Sequence, residues 1–120
     1  MRVGLGTDVG GGAAFSMFRV MDEAYKTARL RGGTITPLEL WHRATLGGAE
    51  ALNLEDNIGN FVADKEADFT VFNLFATPLL ARRLSVCKTA ADKLFALAIL
   101  GDERAVRMVY IMGNKYEHKA

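Results

Sequence analysis

The sequence predicts an α/β fold: a strand and helices of the kind that build a (β/α)₈ barrel, joined to a small β unit. Three observations carry this. Val3-Gly4-Leu5-Gly6-Thr7-Asp8-Val9-Gly10-Gly11-Gly12 is a short apolar run ending in an aspartate, with three glycines after it. Two amphipathic helical patterns follow. The character then turns from helical to extended and finishes in a hairpin pattern. In such a barrel, a carboxylate just past the C-terminal end of a strand sits on the face where chemistry happens. The same ten residues also suit a plain strand–loop junction whose Asp8 caps the next helix.

Arg2 to Thr7 reads as a short, buried strand. Ser16 to Leu30 reads as a helix, with Met17, Met21, Ala24 and Ala28 on one stripe and Phe18 and Tyr25 beside it. Arg19, Asp22, Glu23, Lys26 and Arg29 fall on the opposite face, and Asp22–Lys26 is a favourable i,i+4 pair. Arg31-Gly32-Gly33 stops this helix. Thr36-Pro37-Leu38-Glu39 starts the next: Thr36 is the N-cap, Pro37 is first in the helix, and Glu39 closes a capping box. That helix runs to about Thr45. A short one covers Gly48 to Leu52, with Gly47-Gly48 as the break.

Ile58-Gly59-Asn60-Phe61 has strand and turn residues. Lys65 to Phe72 alternates and is rich in aromatic and β-branched residues, which suits a strand. Ala76 to Val86 is ambiguous, although Pro78 argues against a central strand there. Thr89 to Leu100 is a helix that is apolar nearly all round, stopped by Gly101. Val106 to Met112 is a strand, and Gly113-Asn114 is a hairpin turn leading to Lys115-Tyr116-Glu117. Two units result: residues 1–55, a barrel strand and its helices, and residues 56–120, a β portion with an inserted helix.

Composition narrows the class. The 120 residues suffice for one modest domain, whereas a whole barrel takes roughly 250. Half the residues are hydrophobic and 24% are charged, which is globular rather than disordered. A net charge of +1 gives no basic field for nucleic acid. The apolar run Leu94 to Leu100 is far too short to span a bilayer, so no membrane partner is expected. The N-terminus carries no signal-peptide pattern. The lone Cys87 has no disulfide partner and reads as a small, partly buried apolar residue in a reducing, cytoplasmic setting.

Taken together, the pieces resemble the C-terminal portion of the guanine deaminases, in the amidohydrolase superfamily. Val3 to Gly12 is similar to that family's last barrel strand and the loop after it. Arg43-Ala-Thr-Leu-Gly-Gly-Ala-Glu-Ala-Leu52 resembles the helix that returns the chain to a small β-sandwich. Ile58-Gly-Asn-Phe61 and Lys65-Glu-Ala-Asp-Phe69 resemble sandwich strands. The Thr-Leu-Gly-Gly-Ala and Lys-Glu-Ala-Asp-Phe pieces are shared across the superfamily. Leu94-Phe-Ala-Leu-Ala-Ile-Leu-Gly-Asp-Glu-Arg104, Val109-Tyr110 and Gly113-Asn-Lys115 are more specific to guanine deaminases. One departure is Ala63-Asp64, where the family usually has a glycine before the lysine of the turn. Asp tolerates the left-handed conformation, so the turn can survive.

The resemblance implies a zinc-dependent hydrolysis of guanine to xanthine and ammonia. It assigns Asp8 as both metal ligand and catalytic proton acceptor. A carboxylate suits this double role as a hard ligand whose second oxygen stays free. The remaining metal ligands, the proton-shuttling glutamate and the guanine-recognising residues are implied to lie outside this chain. On this reading the chain is a portion of a longer protein, inactive by itself, and the longer protein is a possible homodimer. Another deaminase or a chlorohydrolase of the superfamily is the nearest alternative, and a non-catalytic interaction module is the other.

Other constellations are weaker. Gly4-x-Gly6-x-x-x-Gly10 is off the dinucleotide-loop spacing and lacks a well-placed ribose-binding acid. Trp41-His42-Arg43 reads as packing plus solvated charge, Met17 and Met21 as core, Asp102-Glu103-Arg104 as a solvated turn, and His118 as an exposed tail residue.

Overall fold

The computed structural model describes residues 2–116. The elements run α1 (Met17–Leu30), α2 (Pro37–Ala44), α3 (Leu46–Ala51), β1 (Phe69–Phe72), α4 (Pro78–Leu84), α5 (Ala90–Leu100), a 3₁₀ turn (Glu103–Ala105), β2 (Val106–Ile111) and β3 (Asn114–Tyr116). The three strands form one antiparallel sheet in the order β1-β2-β3. The chain is thus a mixed α/β unit with a small sheet.

The helices begin where cap chemistry dictates. Thr36 accepts the Glu39 N–H at 3.2 Å, and the Glu39 carboxylate accepts the Thr36 N–H at 2.7 Å. Thr89 and Asp92 make the same reciprocal pair at the start of α5. At α4, Thr77 accepts the Leu80 N–H and Pro78 opens the helix, which resolves the ambiguous segment 76–86. Two helices, rather than one, therefore separate β1 from β2.

α5 packs against α1, α2 and α4 and supplies Ala96, Leu97 and Ala98 to the core. Burial on several sides explains why its sequence is apolar nearly all round. Phe18, Met21, Leu40, Leu80 and Leu84 complete the same core. An aromatic trio joins helices to sheet: Phe18 lies 5.3 Å from Phe72, and Trp41 lies 5.8 Å from Phe72, between ring centroids. Trp41 donates its indole N–H to the Leu94 carbonyl at 2.9 Å. Its role is packing, as its sequence context indicates.

Several expectations need correction. Residues 2–7 are extended but are neither buried nor paired with any strand among the described residues. A strand is defined by its neighbours, and here the backbone is met by helices instead. The break between α2 and α3 falls at Thr45, and Gly47 and Gly48 lie inside α3. Ile58 to Asn60 forms bends and Phe61 is irregular, so there is no strand here. The strand expected from Lys65 begins only at Phe69, because Ala67 and Asp68 turn to serve the hairpin. Ala67 O accepts the Gly113 N–H at 3.0 Å, and Asp68 Oδ1 accepts the Met112 N–H at 2.7 Å.

The hairpin turn itself is one residue earlier than expected. Ile111 pairs with Asn114, so Met112 and Gly113 are central, with φ of 50° and 75°. Two positive φ values define the turn whose twist matches a hairpin, and Gly113 takes one without strain. The Asp68 carboxylate holds Met112, the unusual residue there. Glu117 and His118 lie outside the described residues. Asp64 has a φ of 72°, so the turn before Lys65 does form on an aspartate.

Asp22 is a further correction. It was expected on the solvated face of α1 but is only 7% exposed. Lys26 meets its Oδ2 at 2.5 Å and Arg19 at 3.6 Å, so the expected i,i+4 pair forms over a covered carboxylate.

Candidate active site

Asp8 sits at the end of the extended segment, exposed, at the first position of a tight turn. Its φ is 47°, a left-handed conformation that aspartate tolerates better than most residues. The Asp8 carbonyl accepts the N–H groups of Gly11 at 2.9 Å and Gly12 at 2.5 Å. The main chain therefore folds back on itself directly after the carboxylate. A Cβ at Gly12 would collide with the Thr7 carbonyl oxygen, and one at Gly11 would lie 2.8 Å from Asp8 Oδ2. Only a bare backbone can pass here with the carboxylate where it is.

The segment leading to Asp8 is held by α2 and α3. The Leu5 N–H donates to the Arg43 carbonyl at 2.9 Å. Gly4 faces Gly48 so closely that a Cβ on Gly4 would stand 2.7 Å from Gly48 Cα. At the start of the segment, Arg2 Nη1 donates to the Glu50 carbonyl at 3.1 Å, Asn53 Oδ1 at 3.4 Å and Glu55 Oε1 at 2.7 Å. This clasp has no signature in the sequence, since it joins residues 48 to 53 positions apart.

As a metal ligand, Asp8 is of the right kind: an exposed, hard carboxylate. It is not sufficient in number. No group of three or more His, Cys, Asp or Glu suited to hold a metal occurs among the described residues. His42 is exposed, with Nε2 4.0 Å from Glu50 Oε1. His118 lies outside the described residues. Cys87 is partly buried and donates its thiol to the Arg83 carbonyl at 3.4 Å, consistent with an inert packing role.

Asp102 and Arg104, expected as a solvated turn, form a tight pair leading into β2. Asp102 accepts the Arg104 backbone N–H at 3.0 Å and its guanidinium at 2.5 Å. The guanidinium holds the Asp102 carboxyl below the usual carboxylate range. The turn seats Ala105, which is fully buried.

An open apolar groove of about 970 Å³ separates α1 and α2 from the sheet and is lined by Phe15, Trp41, Ile58, Phe61, Phe69 and Val109 among others. Phe15 and Phe61 are 86% and 81% exposed beside it. No helix of the described residues is long and apolar enough to cross a membrane.

Comparison with known proteins agrees with the resemblance in the sequence. Residues 1–115 match the model of the amidohydrolase family. Guanine deaminase of Escherichia coli K12 is 44% identical over 114 residues, covering 95% of this chain and 26% of that protein. A probable guanine deaminase of Deinococcus radiodurans is 35% identical, covering 95% and 27%. The E. coli guanine deaminase structure superposes with a TM-score of 0.94 at 42% identity, covering 99% of this chain and 28% of that one. Guanine deaminase from Bradyrhizobium japonicum gives a TM-score of 0.90 at 31% identity, covering 100% and 32%. The chain spans about a quarter of the length of the curated relatives it matches. With 115 of its residues matched to the family model, the chain belongs to the amidohydrolase family.

Proposed function

We propose that this chain is the C-terminal part of a zinc-dependent guanine deaminase that hydrolyses guanine to xanthine and ammonia. On this reading residues 1–55 are the last barrel strand and its helices, and residues 56–120 belong to the β-sandwich. The observation that carries the proposal is the 44% identity with E. coli guanine deaminase across 95% of the chain. The exposed carboxylate of Asp8, before a turn that leaves no room for a side chain at Gly12, is consistent with it.

Asp8 is the residue of this chain assigned to the chemistry. It would be one ligand of a zinc ion whose other ligands lie outside the described residues. When bound, such a metal supplies an activated water. Asp8 itself has two oxygens, so it can hold the metal with one and accept a proton with the other. Asn would keep the shape and lose the proton acceptor. The turn after Asp8 leaves open space above Gly10, where nothing stands within 4 Å of an added Cβ.

The test is a chimaera in which residues 1–115 replace the matching segment of E. coli guanine deaminase. The chimaera is expected to release ammonia and xanthine from guanine. The 120-residue chain alone, supplied with zinc, is expected to give no turnover, since catalytic zinc usually takes about three protein ligands. A soluble, folded chimaera without turnover would overturn the proposal. Turnover by the isolated chain above a metal-only control would overturn the assignment of the other ligands.

A further inference from the structure

We propose that Gly4 is a positioning residue for Asp8: the contact of its backbone with Gly48 sets how far the segment leading to the carboxylate stands from α2 and α3. This rests on the reading of Asp8 as the reactive carboxylate. It is compatible with residues 2–7 being a barrel strand. Hydrogen bonds to neighbouring strands fix a strand within the plane of its sheet. Its distance from the layer packed on the sheet's face is set by contact with that layer, and here the layer is helical. The observation that carries the proposal is how close the two backbones lie. A Cβ on Gly4 would stand 2.7 Å from Gly48 Cα and 3.4 Å from Gly48 N. Both are main-chain atoms, so no side chain can rotate away to make room.

Thr45-Leu46-Gly47-Gly48 builds the seat for this contact. α2 ends at Ala44, so the Arg43 carbonyl is among the last few that a helix leaves without an internal partner. Thr45 makes the break. Its N–H donates to the His42 carbonyl at 3.1 Å, and its hydroxyl donates to the Trp41 carbonyl at 2.8 Å. The Arg43 carbonyl is left to accept the Leu5 N–H at 2.9 Å. α3 then starts at Leu46 and brings Gly48 against Gly4. The contact and the hydrogen bond lie on adjacent residues, so they move together. A methyl group at position 4 must part the backbones by most of an ångström before ordinary contact is reached. The neighbouring hydrogen bond cannot stretch that far and hold. Asp8 follows roughly 13 Å further along the extended segment. Close-packed structure transmits such a shift rather than absorbing it, so it reaches the carboxylate.

The test places Gly4→Ala in the chimaera with E. coli guanine deaminase. The kcat per folded molecule is expected to fall about 10- to 100-fold, the scale of a displacement near 1 Å, with KM nearly unchanged. A crystal structure of the variant is expected to show the Asp8 carboxylate displaced relative to α2. Where Gly4→Ala fails to fold, Thr45→Val and Thr45→Ser decide. Valine keeps the shape and loses the hydroxyl that holds the break between α2 and α3. It is expected to lower kcat about fivefold, the scale of one hydrogen bond, and serine is expected to restore it. Normal kcat in Gly4→Ala would overturn the proposal, as would a lowered kcat with Asp8 unmoved. Activity lost only in proportion to the folded protein would also overturn it. Where Gly4→Ala is insoluble, a Thr45→Val chimaera with the parent's kcat would do the same. Asp8→Asn in the otherwise unaltered chimaera judges the reading of Asp8 by itself, so the two fail separately.

Discussion

At the scale of single residues, the site is set by what Asp8 and its glycines permit. The backbone turns so tightly after Asp8 that Gly12 has no room for a side chain against the Thr7 carbonyl. Gly12→Ala in the chimaera is therefore expected to move the carboxylate and lower kcat about 10²-fold, the cost of a displacement near 1 Å. Steady-state kinetics with an unchanged circular dichroism spectrum would show it, and normal kcat would mean that the loop tolerates the shift. The tight turn after Asp8 was legible in the sequence because its pieces are local: a carboxylate that tolerates a left-handed backbone and three glycines within five positions. The Arg2–Glu55 clasp was not, because it depends on where α3 ends in space. Nor was the burial of Asp22, which helical periodicity places on the outer face until Arg19 and Lys26 fold over it.

At the scale of elements, the helices were far more legible than the strands. A cap is written in four consecutive residues, as at Thr36 to Glu39. A strand depends on a partner that is distant in sequence, and residues 2–7 have none among those described. The same logic explains the hairpin. Its existence was plain from Gly113, but its register was fixed by Asp68, which is 44 positions from Met112. The two capping boxes also make a pH prediction. Bonds from Thr36 hold the Glu39 carboxyl below its ordinary 4.5, and bonds from Thr89 hold the Asp92 carboxyl below its ordinary 3.8. A depressed value means the ionised form is favoured in the folded chain. The contribution is therefore complete above the ordinary values and lost as pH falls through the lowered ones. Thermal melts should show stability declining below about pH 4, and Glu39→Gln with Asp92→Asn should flatten that decline. A double variant with the parent's acid dependence would rule these carboxylates out as its source.

At the scale of the whole molecule, one core draws on residues from both ends of the chain. Leu40 is fully buried among α1, α2 and α5 residues. Leu40→Ala is expected to cost about 2–5 kcal/mol, measured by urea unfolding; a cost below about 1 kcal/mol would mean the core is looser than its burial indicates. α1 shares in this core through Phe18 and Met21, so its protection should exceed that of residues 2–16. The apolar groove and the exposed Phe15 and Phe61 leave a large hydrophobic surface uncovered, of the kind that promotes association. Composition could not reveal this, because it counts apolar residues without saying which of them this chain can bury. On the proposed function, the carboxylate this chain brings to the reaction is that of Asp8. Its most direct test is the chimaera carrying Asp8→Asn, assayed for ammonia and xanthine beside the unaltered chimaera. The expected result is a kcat lower by about 10²–10⁴-fold, with the circular dichroism spectrum unchanged. A kcat near that of the unaltered chimaera would contradict it and leave Asp8 as no more than a turn residue.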